Sequence, residues 1–528
     1  MRFADLHAHN HTKGFLWMRH QRERYERKGE YHPWTIVSDS RAALNGRKMA
    51  SKYAQADLVK LWNGKVRLTF NALYPVEKGF FSIDMQGITG ADRWYKALTR
   101  AFTSQVLPLR DYLQFFVMWI PDAAIDHFQS ASYSYWDYLN EEYAFATLKD
   151  GVETRNSILT PTTVRNIFES ERKRRRDYPN ELDATGTYVI PRTKAQLVNA
   201  LAADKVAMIL TIEGGHALGT DRGTVTDWLA NVDRVKQWDH PILFITFAHH
   251  FANKLCGHAH SFPGKATYIM GQEVQMNEGF TPEGWRVLRR ILSIKESGDP
   301  DPAAGYRILI DVKHMSAKAR HEYYESVVRP GLERSTPDVI PVIASHVAYT
   351  GVKTLQQLIA QSGDEKDGAT APGSRFNRWN INICDEDVLL VHRTNGLIGL
   401  SFDQRIVGVR ANAENDITIL WANIKAILEV VYGKPDSEFP LAEKHRIWEC
   451  LSIGTDFEGW IDPVDPYPTA LFFADFRAQL IAAIDHERQS ANPPSCLHHL
   501  TSTTAVEHAV EGICHRNAEE FARGNFPK

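Results

Sequence analysis

Short apolar runs recur along the chain, and most of them stop on a residue that can bind a metal ion or carry a proton. In order they are RFADLHAH (2–9), KVRLTFNALYP (65–75), AMILTIE (207–213), ILFITFAHH (242–250), YRILIDVKH (306–314), VIPVIASHV (339–347), GLIGLSFD (396–403) and LSIGTDFEG (451–459). Runs of this length, rich in β-branched residues and bounded by turn formers, read as buried strands. Helical patterns lie between most of them. Thr281 and Pro282 suit a helix start, Trp285, Leu288, Ile291 and Leu292 can share one face, and Gly298 stops it. Ser316 suits the cap of another helix, expected to end before Pro330-Gly331.

Eight strand candidates alternating with helices predict a (β/α)8 barrel, the α/β class, with a doubly wound open sheet as the alternative. No glycine-rich dinucleotide fingerprint follows an early strand to favour the open sheet. Six of the eight runs carry an ionisable residue at the C-terminal end, the face on which such barrels bear their sites.

The alternation breaks between the second and third runs. Residues 76–204 carry aromatic-rich segments with helical spacing, such as 94–120, and predict a mainly helical insertion within a single 1–528 hydrolase unit. Its aromatics between Trp94 and Trp136 are expected to form the insertion's own core. The basic run ERKRRRD (171–177) reads as a solvated helix face. SGDEKDGATAPGSR (362–375) reads as a loop, and a helical pattern follows Thr504.

Composition alters this picture little. The 528 residues are 43% hydrophobic and 24% charged with a formal net charge of −3, which gives no electrostatic case for nucleic acid or an acidic membrane. Five scattered cysteines without a Cys-x-x-Cys pair argue against a disulfide framework or a thiolate zinc site. No secretory pattern or membrane-length apolar run is read, so a cytoplasmic location is expected. A homodimer is left open.

The candidate chemistry lies at the strand ends. His7 and His9, two apart on an extended chain, point to one side and can reach one ion. Glu213 is followed by Gly214 and Gly215, where backbone can approach a ligand closely. With His314 and His346 they suggest two divalent ions, His7, His9 and Glu213 on one and Glu213, His314 and His346 on the other. Nitrogen and carboxylate donors without thiolate favour zinc, with manganese, iron or cobalt as alternatives. Asp456 is the candidate acid/base, with Glu458 as its competitor, and His249 the candidate for polarising a carbonyl or stabilising an oxyanion. Asp311 and Asp403 are read as supports. His11, His216, His250, His258 and His260 have no assigned place.

The ordered motifs TIEGGHALG, FITFAHHFAN, ILIDVKHMS, PVIASHVAY and IGTDFEG resemble those of the membrane (renal) dipeptidases and their bacterial relatives, a branch of the amidohydrolase superfamily. The resemblance implies a (β/α)8 fold, a binuclear zinc site and hydrolysis of dipeptides or related small amides. It also implies a bridging role for Glu213, metal roles for His314 and His346, a substrate or oxyanion role for His249 and the acid/base role for Asp456. Two positions depart from the family. Its first motif pairs histidine with aspartate, where this chain has His7 and His9. Its arginine for the substrate carboxylate has no clean match, and Arg375 and Arg378 lie in the corresponding loop. N-acyl amino acids, lactones or other esters are therefore an alternative substrate class, and a non-catalytic barrel used for protein contacts is the alternative of another kind.

Overall fold

All eight predicted strands form, and they lie side by side in chain order. They are β1 (Phe3–Ala8), β2 (Val66–Leu73), β3 (Val206–Glu213), β4 (Ile242–Thr246), β5 (Leu309–Asp311), β6 (Ile343–Val347), β7 (Leu397–Leu400) and β8 (Leu451–Ile453). The structure, a computed structural model, describes residues 1–35, 55–81, 122–155, 185–262, 271–334, 338–361, 375–408, 416–461 and 463–527. Each strand pairs in parallel with the next. The last returns to the first just past β8: Ala8 bridges Phe457 in parallel, the His9 amide donates to the Phe457 carbonyl at 2.9 Å, and the Asp456 amide to the His7 carbonyl at 3.0 Å. The sheet is thus a closed (β/α)8 barrel, and closure removes the unpaired edges of an open sheet.

The strands are buried along their whole length because helices cover the outside while side chains fill the inside. One continuous apolar core links them to those helices. Several helix starts are written locally. In α1 (Pro282–Leu292) Thr281 Oγ1 accepts the Gly284 amide at 2.9 Å, and Leu288, Ile291 and Leu292 are buried while Trp285 is only partly so. This helix ends earlier than expected: Ser293, in the left-handed region at φ 52, terminates it five residues before Gly298. In α2 (Ala317–Tyr323) Ser316 Oγ accepts the Ala319 amide at 2.9 Å. Here the helical path runs further than expected. A π turn over Tyr324–Val328 widens the spiral, and the helix resumes at Arg329–Glu333 with Pro330 in its first turn, where a missing N–H costs little.

Between β2 and β3 the described residues include helices Asp122–Gln129, Tyr135–Ala146 and Lys194–Ala202 and a small antiparallel pair, Thr154–Arg155 with Thr185–Gly186. A second, aromatic cluster ties part of this segment to the barrel mouth, joining Phe80, Phe128, Tyr133 and Tyr138 to Phe15, Phe251 and Trp460. Most of the aromatics between 94 and 136, the basic run 171–177 and the loop at 362–374 lie outside the described residues. Thr503–Glu511 forms the expected helix near the C-terminus, capped by Ser502. All five cysteines are buried and free. Among the described residues no helix is long and apolar enough to cross a membrane.

Candidate metal centre

The side chains singled out at the strand ends converge on one mouth of the barrel. Glu213, the last residue of β3, is 2% exposed and stands at the middle. Its Oε2 lies 2.9 Å from His9 Nε2; its Oε1 lies 3.3 Å from His7 Nε2, 3.5 Å from both His314 Nε2 and His346 Nε2, and 3.6 Å from His249 Nε2. Gly214 allows this approach. It sits at φ 88, and a Cβ there would collide with the His216 imidazole, while its amide donates to the Thr246 carbonyl at 2.9 Å.

Two sets of donors share the Glu213 carboxylate: His7, His9 and Glu213, and Glu213, His314 and His346, each with its ligand atoms within 4.8 Å of one another. The Nε2 atoms of His7 and His9 and Glu213 Oε1 are buried and make no hydrogen bond. Buried polar atoms left in that condition are costly unless another partner serves them, and a divalent ion is such a partner for imidazole nitrogen and carboxylate oxygen.

The far sides of the imidazoles are fixed. His9 Nδ1 lies 3.1 Å from the Ala72 carbonyl, which can only accept, so Nδ1 carries a proton and Nε2 is the nitrogen that would offer its lone pair to an ion in place of its own proton. Ser345 Oγ donates to Asp311 Oδ2 at 2.6 Å, which frees its oxygen to accept from His346 Nδ1 at 2.8 Å and, more weakly, His7 Nδ1 at 3.5 Å. Asp311 also accepts from Thr246 Oγ1 at 2.6 Å and the Lys313 amide at 3.1 Å. One buried carboxylate therefore orients two imidazoles through one hydroxyl.

Charges in the mouth are interdependent. Burial pulls the Glu213 carboxyl upward, but the imidazoles of His249, His7 and His9 outweigh it and hold the group well below the usual range. Burial likewise pulls His9 down, and Glu213 reverses this, raising it to about 9. His314 and His346 stay well below the ordinary imidazole value, mainly through burial, and are neutral donors.

Asp456, three residues past β8, points into the same space, with Oδ1 3.8 Å from His7 Nε2 and 3.9 Å from His9 Nε2 and Oδ2 4.0 Å from His346 Nε2. Burial, reinforced by the charge of Glu213, pushes its pKa from 3.8 to about 7. Its backbone, like that of His314, is left-handed, at φ 63 and φ 64, a conformation that costs roughly 1–3 kcal/mol at a non-glycine residue. Glu458 is committed elsewhere: its carboxylate accepts from the amides of Gln55 and Ala56 and pairs with Lys13 Nζ at 2.6 Å.

The sequence offered no sign of Glu77. It follows Pro75 just beyond β2, is 2% exposed, and places Oε2 2.5 Å from His249 Nδ1 while Oε1 accepts the Phe251 amide at 3.1 Å. His250 also borders the site, its ring centroid 4.8 Å from that of His314 and its Nδ1 2.7 Å from Ser261 Oγ. Three of the other unassigned histidines hold structure. His11 lies between Asn71 and Glu142, His216 Nε2 reaches the Pro75 carbonyl at 2.7 Å, and His258 contacts the Ala259 and Val274 carbonyls. Asp403 is held by Arg405, whose Nε and Nη2 approach it at 2.8 and 2.6 Å. Arg378 donates to Gln361 at 3.2 Å and Arg375 is exposed.

No protein-family model matches the chain, and neither does any curated protein. It is similar in structure to a metallopeptidase from Rhodobacter sphaeroides liganded with a phosphinate mimic of the dipeptide L-Ala-D-Ala, at 13% identity and a TM-score of 0.49, covering 100% of this chain and 99% of that one. It is also similar to a dipeptidase described as a metallopeptidase of family M19, at 13% identity and a TM-score of 0.48 over 100% of this chain and 99% of that one. A third is the probable dipeptidase PvdM from Pseudomonas aeruginosa, at 13% identity and a TM-score of 0.41 over 89% and 88% of the two chains.

Proposed function

We propose that this chain is a metal-dependent hydrolase that cleaves the amide bond of dipeptides or similar small amides. The observation that carries the reading is one buried carboxylate, Glu213, shared by two histidine pairs, with a proton-carrying carboxyl, Asp456, facing His7, His9 and His346. His7 and His9 would hold one ion with Glu213, and His314 and His346 the second. Two bound divalent ions, zinc being favoured by the donor set, supply Lewis acidity and lower the pKa of water toward neutrality.

The protein's own groups do the rest. Asp456, facing the space between the histidines, is suited to take the proton of the attacking water and return it to the leaving amine nitrogen as the C–O bond forms and the C–N bond breaks. His249, held by Glu77, presents Nε2 to the same space and serves the developing oxyanion as donor. In the metal-free protein burial lowers its affinity for a proton, while Glu213 and Glu77 together raise it above the ordinary imidazole value.

The test is to supplement purified protein with zinc, count metal per chain, and assay dipeptides beside N-acyl amino acids and esters. About two ions per chain and dipeptide turnover are expected. Metal without dipeptide turnover, but with turnover of the other compounds, would move the substrate to that class. Less than one ion per chain would leave a barrel without this chemistry.

A further inference from the structure

The helix Tyr135–Ala146, in the segment between β2 and β3, buries Tyr135, Tyr138, Leu139, Glu142, Phe145 and Ala146. All but one of these are apolar or aromatic, as a helix face packed on a core should be. Glu142 is the exception. Its carboxylate is wholly enclosed, and among the described residues neither a lysine nor an arginine pairs with it. Burying an acid is costly unless its oxygens are served, so its contacts show what it is for.

Those contacts all reach the chain just beyond the first two strands. Oε1 accepts from Thr12 Oγ1 at 3.1 Å and lies 3.2 Å from His11 Nε2, while Oε2 accepts the Tyr74 amide at 2.7 Å. His11 Nδ1 in turn lies 3.0 Å from Asn71 Nδ2 on β2, and Asn71 Oδ1 accepts the Asn10 amide at 2.9 Å. His9 stands inside this wiring. Its Nδ1 is held by the carbonyl of Ala72, two residues before Tyr74, whose ring meets the imidazole edge-on with centroids 5.6 Å apart. One carboxylate thus fixes both partners of the contact that orients His9, each from the residues that follow it. Phe15, in the helix that Thr12 starts, packs its ring on Tyr138 and Phe145, each at 5.2 Å, which docks the same segments by apolar contact. His314 and His346 are supported from elsewhere, and among the described residues Glu142 contacts neither.

We propose that Glu142 is a positioning residue for the first donor set, so that this helix governs how tightly His7, His9 and Glu213 hold their ion and leaves the set of Glu213, His314 and His346 alone. The inference rests on the metal-dependent reading above and deepens it, because it separates the two ions by what supports their ligands. An imidazole offers an ion one lone pair in a direction fixed by its ring, whereas a carboxylate offers two oxygens. A histidine at position 9 therefore depends on an outer clamp that an acid there would need less. The segment between β2 and β3 supplies that clamp through Glu142.

The experiment is a competition titration of zinc against a chromogenic chelator. Glu142→Gln is placed in two backgrounds of the full chain, His346→Ala, which keeps the first donor set whole, and His9→Ala, which keeps the second. In the first background it is expected to weaken the remaining zinc by about 10- to 100-fold, the scale of removing a group that orients a metal ligand. In the second the dissociation constant should stay as it was. Equal weakening in both backgrounds would mark a general loosening of the fold, and no weakening in the first an idle carboxylate. Either result overturns the inference and leaves the hydrolase reading standing. A wild type that takes up less than one zinc per chain overturns both. Should Glu142→Gln fail to fold, Thr12→Val, which removes one donor to Glu142, takes its place in the same two backgrounds and must show the same asymmetry; an even effect overturns the inference.

Discussion

Glu77 and His249 form a buried pair: Glu77 Oε2 lies 2.5 Å from His249 Nδ1, and both side chains are almost wholly enclosed. The carboxylate fixes the ring's orientation and keeps its proton inventory high, leaving Nε2 directed at the space beside Glu213. Glu77→Gln is expected to lower kcat by about tenfold or more while zinc content is retained, the scale of losing a carboxylate that orients a working histidine. The alkaline limb of the pH–rate profile, where His249 loses its proton, should also move to lower pH, because one of the two charges that raise His249 is removed. An unmoved profile would reduce Glu77 to a loop support.

Asp456 and Glu458 are two residues apart and should fail in different ways. Asp456→Asn is expected to fold, keep its metal and lose turnover by about 10²- to 10⁴-fold, the usual worth of a positioned acid/base. Glu458→Gln leaves Lys13 without its carboxylate in a buried place, which is expected to cost about 3–5 kcal/mol of stability. Denaturant unfolding and single-turnover assays on the two variants would separate these effects, and equal losses of stability would refute the distinction.

Glu213 is the donor common to both metal groups, so its loss should be felt by both ions. Zinc at 100 times its dissociation constant is expected to stabilise wild type by about 2.7 kcal/mol. Glu213→Gln should show little rise in Tm on zinc addition. Thermal scans over a zinc series give the answer, and a wild-type-like rise would mean the carboxylate is not a ligand.

The raised pKa of Asp456 carries a pH signature in chelator-treated protein. Between its ordinary value of 3.8 and about 7, the folded protein holds a proton that the unfolded chain has released. Stability must therefore fall as pH rises through that window. Asp456→Asn should flatten the fall, as read from unfolding midpoints at a series of pH values. A wild-type slope that the substitution leaves intact would assign the effect to other buried acids, of which Asp5, at about 6, is the nearest in behaviour.

The barrel was legible because its strands are buried on both faces, so each one appears in the sequence as a dense apolar run. The histidines and Glu213 were legible for the same reason, standing where those runs stop. Glu77 was not. It follows Pro75 in a segment without periodicity, and its part in the site comes only from meeting His249, 172 residues later in the chain. The helix ends were misjudged where local signals competed: Ser293 adopted the left-handed conformation expected of Gly298, and the π turn before Pro330 let the helix pass a residue that ordinarily halts it.

The seam between the first strand and the segment after the last has a consequence for the order of assembly. His7 and His9 are made before the other seven strands of the barrel, whereas the backbone groups that hold their strand on its second side belong to Asp456 and Phe457. Until that segment is in place β1 has no partner on its second side, and an unpaired strand edge invites association with other chains. Contacts so distant along the chain also form slowly, because the loop they close is long. A complete cup of ligands thus belongs to the finished barrel alone, and an ion captured earlier would meet only some of its partners.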